Sequence, residues 1–284
     1  MVAKTENINS NQNNSFVNDV NGNVARSVSI VDGVTDYMIQ VSRGLIPGAS
    51  IKHIFGRNSS VGAALTPISN GGLYRTPTTT ATLEVISTDA NDIVGGTGAR
   101  LIEITYLDSN FIEQTGTIAT NGLAASTETL SGVKRLLFAR VKESGTYATQ
   151  TAGSHIGAIT IRESGAGQDW AIIPSLGGFG FGSTQIGAYT IPAGYTAYLL
   201  KTGTSVSSNK VVNLYFFKRE KADVTTAPFT DMEIISVFDG VSGSTSFRHE
   251  TMEIIPEKTD IGFIGNDSTG SEASVEFELL LVQN

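Results

Sequence analysis

Apolar and polar side chains alternate along most of this chain, and the period of the alternation is two. From Thr82 to Thr120 the sequence runs T-L-E-V-I-S, then a polar loop T-D-A-N-D-I-V-G-G-T-G-A, then R-L-I-E-I-T-Y-L-D-S-N-F-I-E-Q-T-G-T-I-A-T. Leu83 and Val85 share one face of the first predicted strand, and Ile102, Ile104 and Tyr106 one face of the second, because strand side chains point alternately to opposite faces. The stretch predicts strand, loop, strand, tight turn and strand in half-buried antiparallel sheet.

The pattern recurs on both sides. Val24 to Val31 and Val34 to Val41 flank Asp32-Gly33, and D-G between alternating runs predicts a hairpin that sets Val28 against Tyr37 and Arg26 against Ile39. Ser50 to Phe55 reads as a short strand, and residues 59–80, with Pro67, Gly71, Gly72 and Pro77, as a long connection of the kind that is functional or interfacial. Val133 to Val141 fits a strand better than a short helix. Ala158 to Ile161, Trp170 to Ile173 and Gly187 to Thr190 follow as strands, and I-P-A-G-Y carries a type II turn signature at Pro192 and Gly194. Tyr195 to Leu200 continues beyond that turn. Val211 to Phe217 is apolar on both faces and is predicted to be a central strand.

Met232 to Phe238 leads into a predicted hairpin around Gly240 to Ser244. In the last strand, Ser274 to Val282, Val275, Phe277, Leu279 and Leu281 point one way and Glu276 and Glu278 the other. No twelve-residue segment has helical periodicity, so the fold class is all-β, expected as an antiparallel β-sandwich, jelly-roll-like, with an extended N-terminal arm and hairpin. The division is residues 1–43 for arm and hairpin and 44–284 for the sandwich, with a further boundary near 220 as an alternative.

The arm, residues 1–23, holds eight asparagines and few apolar side chains, too few to offset the entropy of ordering it. It is expected to be held by a neighbouring subunit through Phe16, Val17 and Val20, with Tyr74 as a further interface residue.

Composition narrows the function. Charged residues make up 16% of the 284, against ~25% in ordinary soluble domains, so the surface is rich in Ser, Thr, Asn and Gly and suited to protein contact. A net charge of −8 opposes nucleic-acid binding, which needs Lys and Arg to neutralise phosphates. With no cysteine, disulfides and thiolate metal sites are excluded. The N-terminal residues form no apolar signal segment and no run reaches membrane-spanning length, so a chain made in the cytoplasm without membrane attachment is expected.

Candidate chemistry is sparse. His53, His155 and His249 lie far apart and accompany no G-x-S-x-G elbow, and neither H-E-x-x-H nor a P-loop occurs. Gly95 to Ala99 lacks dinucleotide-loop spacing. Asp89, Asn91 and Asp92 offer oxygens to a hard cation, but without calcium-loop spacing they read better as caps of the loop's own backbone. Tyr74, Trp170, Tyr195 and Tyr198 could stack on sugars, though aromatic residues are common in strand cores. No catalytic residue, cofactor or metal is expected.

G-R-N at 56–58, G-G-L-Y-R-T-P at 71–77, S-T-D-A-N-D-I-V-G-G-T-G-A-R at 87–100, Y-L-D-S-N-F at 106–111, Y-T-I-P-A-G at 189–194 and P-E-K-T-D-I at 256–261 stand out as a set. In their order and spacing the chain resembles a family of uncharacterised structural proteins of tailed bacteriophages, marine ones in particular, over residues 44–284. The family pattern has a Trp near G-G-x-Y that Leu65 to Ile68 does not supply. The resemblance implies a non-enzymatic virion protein that assembles with copies of itself and with other virion proteins, as capsid decoration, cement, vertex or neck. A tail or fibre component binding host glycan and a tail-associated hydrolase domain are the alternatives.

Overall fold

The computed structural model describes residues 15–18, 24–27, 37–149, 153–175, 182–207, 209–249 and 252–284. They fall into two compact units, one ending at Pro47 and the other running from Gly48 to Asn284.

In the first unit β1 (Ser15–Asn18) pairs antiparallel with β2 (Val24–Ser27), setting Phe16 opposite Arg26 and Val17 opposite Ala25. The hairpin expected between Val24 and Val41 is therefore displaced. Arg26 faces Phe16 rather than Ile39, and Tyr37–Ser42 is a short helix, α1. The Asp32-Gly33 turn and Val20 lie outside the described residues. The end of α1 explains the change: Gly44, at φ 69°, donates to Val41 O, and Leu45 donates to Gln40 O. Those two bonds form the glycine-ended helix cap that satisfies the last carbonyls, a signal that the period-two reading of Val34 to Val41 passed over.

The second unit opens with a long strand, β3 (Ala49–Val61), then β4 (Thr66–Pro67), β5 (Ala81–Ser87), β6 (Ala99–Leu107) and β7 (Glu113–Ala119). β8 (Leu130–Val133), β9 (Arg135–Ser144), β10 (Ile159–Glu163), β11 (Asp169–Ile173) and β12 (Ala188–Thr190) follow. The chain continues through β13 (Tyr195–Val206), β14 (Val212–Arg219), β15 (Glu233–Val241), β16 (Gly243–Arg248), β17 (Ile254–Ile255), β18 (Asp260–Asn266) and β19 (Ser271–Gln283). The described strands pair antiparallel throughout, so the all-β class holds. Their orders are β11-β10-β5-β8, β7-β6-β9, β12-β18-β14-β15 with β4 on β18, and β16-β13-β19-β3 with β17 on β13.

Two apolar clusters join these sheets. In one, Val275, Phe277, Leu279 and Leu281 of β19 are buried together with Leu214 and Phe216 of β14 and Phe263 of β18. Phe277 meets the Phe216 ring edge-on at 5.2 Å, which ties one sheet to the other. In the second cluster Leu83 and Val85 of β5 pack with Ile102 and Ile104 of β6. These are the two faces expected from alternation, but β5 and β6 belong to different sheets. The loop between them crosses from sheet to sheet.

The same correction applies at Gly240 to Ser244. β15 pairs with β14 and β16 with β13, so the expected hairpin is a crossing, turned by Gly240 and Gly243 at positive φ. A two-strand pattern read along the chain cannot distinguish a hairpin from a crossing, because both need strand, turn and strand.

A candidate binding groove

The loop residues that could have held a cation serve the backbone instead. Asp89 Oδ1 accepts from the Asn91 N–H at 2.8 Å, an Asx turn. Asp92 is fully buried; its carboxylate accepts from the Ser87 hydroxyl at 2.6 Å and from the N–H groups of Ala99, Ile156 and Gly157 at 2.8, 3.0 and 2.8 Å. Gly98 makes room for it, since a Cβ there would lie 2.1 Å from Asp92 Oδ1. One carboxylate thus pins the loop between β5 and β6 to residues 156–157. Among the described residues no three His, Asp or Glu side chains are grouped to hold a metal.

Tyr74, expected at an interface, packs against the second apolar cluster and puts its hydroxyl 2.6 Å from Thr190 Oγ1. Thr190 in turn donates to Asp260 Oδ1 at 2.6 Å. Thr190, Asp260 and Arg219 lie side by side in register on β12, β18 and β14. Arg135 enters from β9, its Nε and Nη2 3.0 and 3.2 Å from the two Asp260 oxygens, while Arg219 Nη2 reaches Oδ2 at 2.5 Å. Burial works against an ionised Asp260, but the Arg135 charge and its hydrogen bonds, with Thr190 and Arg219, hold its carboxyl below the usual carboxylate range. Burial first and the Asp260 charge second push the Tyr74 hydroxyl above its usual range. The neighbouring cavity, about 30 Å³, has room for a water and no substrate. This cluster is a structural joint between strands, and sequence reasoning missed it because its members are spread over the chain, Tyr74 and Asp260 being 186 residues apart.

The histidines do not converge. His53 is exposed on β3, with Nδ1 3.4 Å from Glu278; His155 is buried against Pro174 O; His249 Nε2 is 3.2 Å from Thr202 Oγ1. Trp170 is buried and donates to Glu163. Phe16 and Val17 sit in β1, where only backbone pairing is described.

A groove of about 790 Å³ lies beside β3 in the second unit. Lys52, His53, Ile54 and Phe55, four consecutive residues, all line it. Consecutive strand residues point to opposite faces, so the groove runs along the edge of β3 and not over one face. Among the described residues β3 pairs only with β19, at the end of its sheet. At Gly56 the inner face of β3 lies close against the chain, since a Cβ there would lie 2.2 Å from Gly187 N and Ile68 O, while Arg57 beyond it still lines the groove.

Leu137 and Phe138 of β9 line the groove as well, and Phe55 and Phe138 are each 42% exposed, enough to offer ring faces to a ligand. Lys52 Nζ pairs with Glu113 at 2.9 Å and Arg57 with Glu272 at 2.5 Å, so the bordering charges neutralise one another. Phe55 had a sequence signal, an aromatic in phase with His53 and Arg57 on a polar face.

No protein-family model matches the chain, and no curated protein matches it. Among solved structures it is similar to Arthrobacter globiformis T6 isomalto-dextranase complexed with panose at 14% identity and a TM-score of 0.23, covering 82% of this chain but only 35% of the other. It is also similar to the infectious bursal disease virus Gx strain at 8% identity and a TM-score of 0.25, over 83% of this chain and 72% of that one. Both scores fall short of what a shared fold requires.

Proposed function

We propose that the protein is a non-enzymatic structural component of a bacteriophage virion, a jelly-roll-like sandwich that assembles with copies of itself and other virion proteins at the capsid surface, vertex or neck. The observation that carries this reading is exposed apolar side chains on edge strands. Among the described residues β15 and β16 end their respective sheets, and Ile234 and Val237 of β15 and Phe247 of β16 are 40, 54 and 46% exposed. Unpaired edges and exposed apolar side chains are aggregation hazards on a free monomer and contact surface in an assembly. The low charge content agrees with it. In a purified particle the chain is expected to bury at least about 1,000 Å² against its partners through this surface. A particle map in which no contact exceeds about 800 Å² would count against the proposal.

A second reading, a tail or fibre component that binds host-surface glycan, is favoured by the exposed rings of Phe55 and Phe138 in one groove. Saturable binding of a host polysaccharide that Phe55→Ala abolishes would establish it.

A further inference from the structure

Positive charge is in excess where the Asp260 joint meets the surface. The small cavity there is lined by Arg135, Arg219 and Lys221 and by the hydroxyl-bearing Thr76, Thr78 and Thr230, with no carboxylate in its lining. Arg135 is fully buried, and its acidic partner Asp260 is shared with Arg219, so two guanidiniums stand against one negative charge. Among the described residues Arg219 uses only Nη2, on Asp260, and Lys221 forms no ion pair. Lys134 adds a further charge nearby: its ammonium is held by the Thr78 carbonyl at 2.6 Å, and burial first and the Arg135 charge second push it below its usual range. Asp223, the other acid in reach, is paired with Lys258 at 3.1 Å.

A buried cation short of counter-charge is costly. The lining offers what an anion needs, since guanidinium, ammonium and hydroxyl groups all donate hydrogen bonds. At about 30 Å³ the cavity takes one particle the size of a water molecule, which selects a halide over phosphate, sulfate or an organic acid. We propose that the cavity binds a single chloride ion between Arg135, Arg219 and Lys221, and that the ion neutralises the charge Asp260 leaves over. It would tie β9 and the end of β14 to the connection that precedes β5, so occupancy is expected to stabilise the second unit.

The test follows the melting temperature of the full chain at pH 7 while sodium chloride replaces sodium gluconate at constant ionic strength, which keeps screening fixed. The wild type is expected to gain at least about 3 °C between about 5 and about 500 mM chloride, by mass action, with bromide acting alike. Lys221→Asn removes a lining cation at an exposed position whose positive φ, 56°, asparagine accepts, and should lower the chloride affinity at least about ten-fold. Arg219→Gln should do the same. Crystals soaked in sodium bromide should show an anomalous peak within hydrogen-bond distance of Arg135 and Arg219. A melting temperature indifferent to chloride, or a chloride response that both variants keep in full, overturns the proposal. So does a bromide-soaked cavity that holds only water. Bromide in the cavity without any effect of chloride on melting would mark an adventitious ion only and overturn it as well.

Discussion

At Asp260, burial and ionisation oppose each other, and the carboxylate stays charged because Arg135 and Arg219 stand against it. Removing one partner of a buried pair leaves the other charge uncompensated, at a cost of about 3–5 kcal/mol. Asp260→Ala is expected to lose that much stability in urea denaturation at pH 7, and a loss below about 1 kcal/mol would show that the cluster is not a joint. The pH dependence has a definite sign. The folded pKa lies below the unfolded value of about 3.9, so the contribution is complete above that value and is lost as pH falls through the folded one. Wild-type stability should therefore drop on acidification below about pH 4, and the Asp260→Ala curve should be flatter there. Of the cluster's members, Tyr74, Thr190 and Asp260 each lie in a motif evident in the sequence. Their meeting was not evident, since no local pattern encodes contact between residues 74, 190 and 260.

For single elements the sequence was most informative where a strand has one dry face. β19 buries Val275, Phe277, Leu279 and Leu281 and leaves Glu276 and Glu278 part-exposed, as its alternation predicts, because a one-residue slip would turn every apolar side chain outward. Phe277 touches Phe216 and Phe263 between two sheets, and Phe277→Ala should cost about 3–5 kcal/mol through lost transfer energy and the cavity left behind. An unchanged urea midpoint would refute this packing. α1 shows the reverse case. Six residues are too few to display helical periodicity, and what ends the helix is the positive φ of Gly44, a backbone property invisible to a hydrophobic pattern.

For the whole molecule, the exposed apolar side chains of β15 and β16 carry the assembly proposal. A charge placed there should not disturb a monomer, because surface substitutions away from packed contacts usually change stability by less than about 0.5 kcal/mol. Val237→Glu is expected to leave the melting temperature of the isolated chain nearly unchanged and to reduce its copy number in purified particles several-fold. Full incorporation of the variant would remove this face from the interface.

From the sequence alone come the all-β class, most strand positions, the inward set of β19, and the Asx turn at Asp89, because each depends on side-chain period or on groups a few residues apart. Tertiary structure decided the rest. It placed β5 and β6 in facing sheets, turned an expected hairpin into the crossing between β15 and β16, brought Arg135 to Asp260, and opened a groove beside β3. The physical reason is common to all four. Alternation specifies which face of a strand is dry, but only the packing of whole sheets settles which surface dries it, which edges stay unpaired and which distant charges meet.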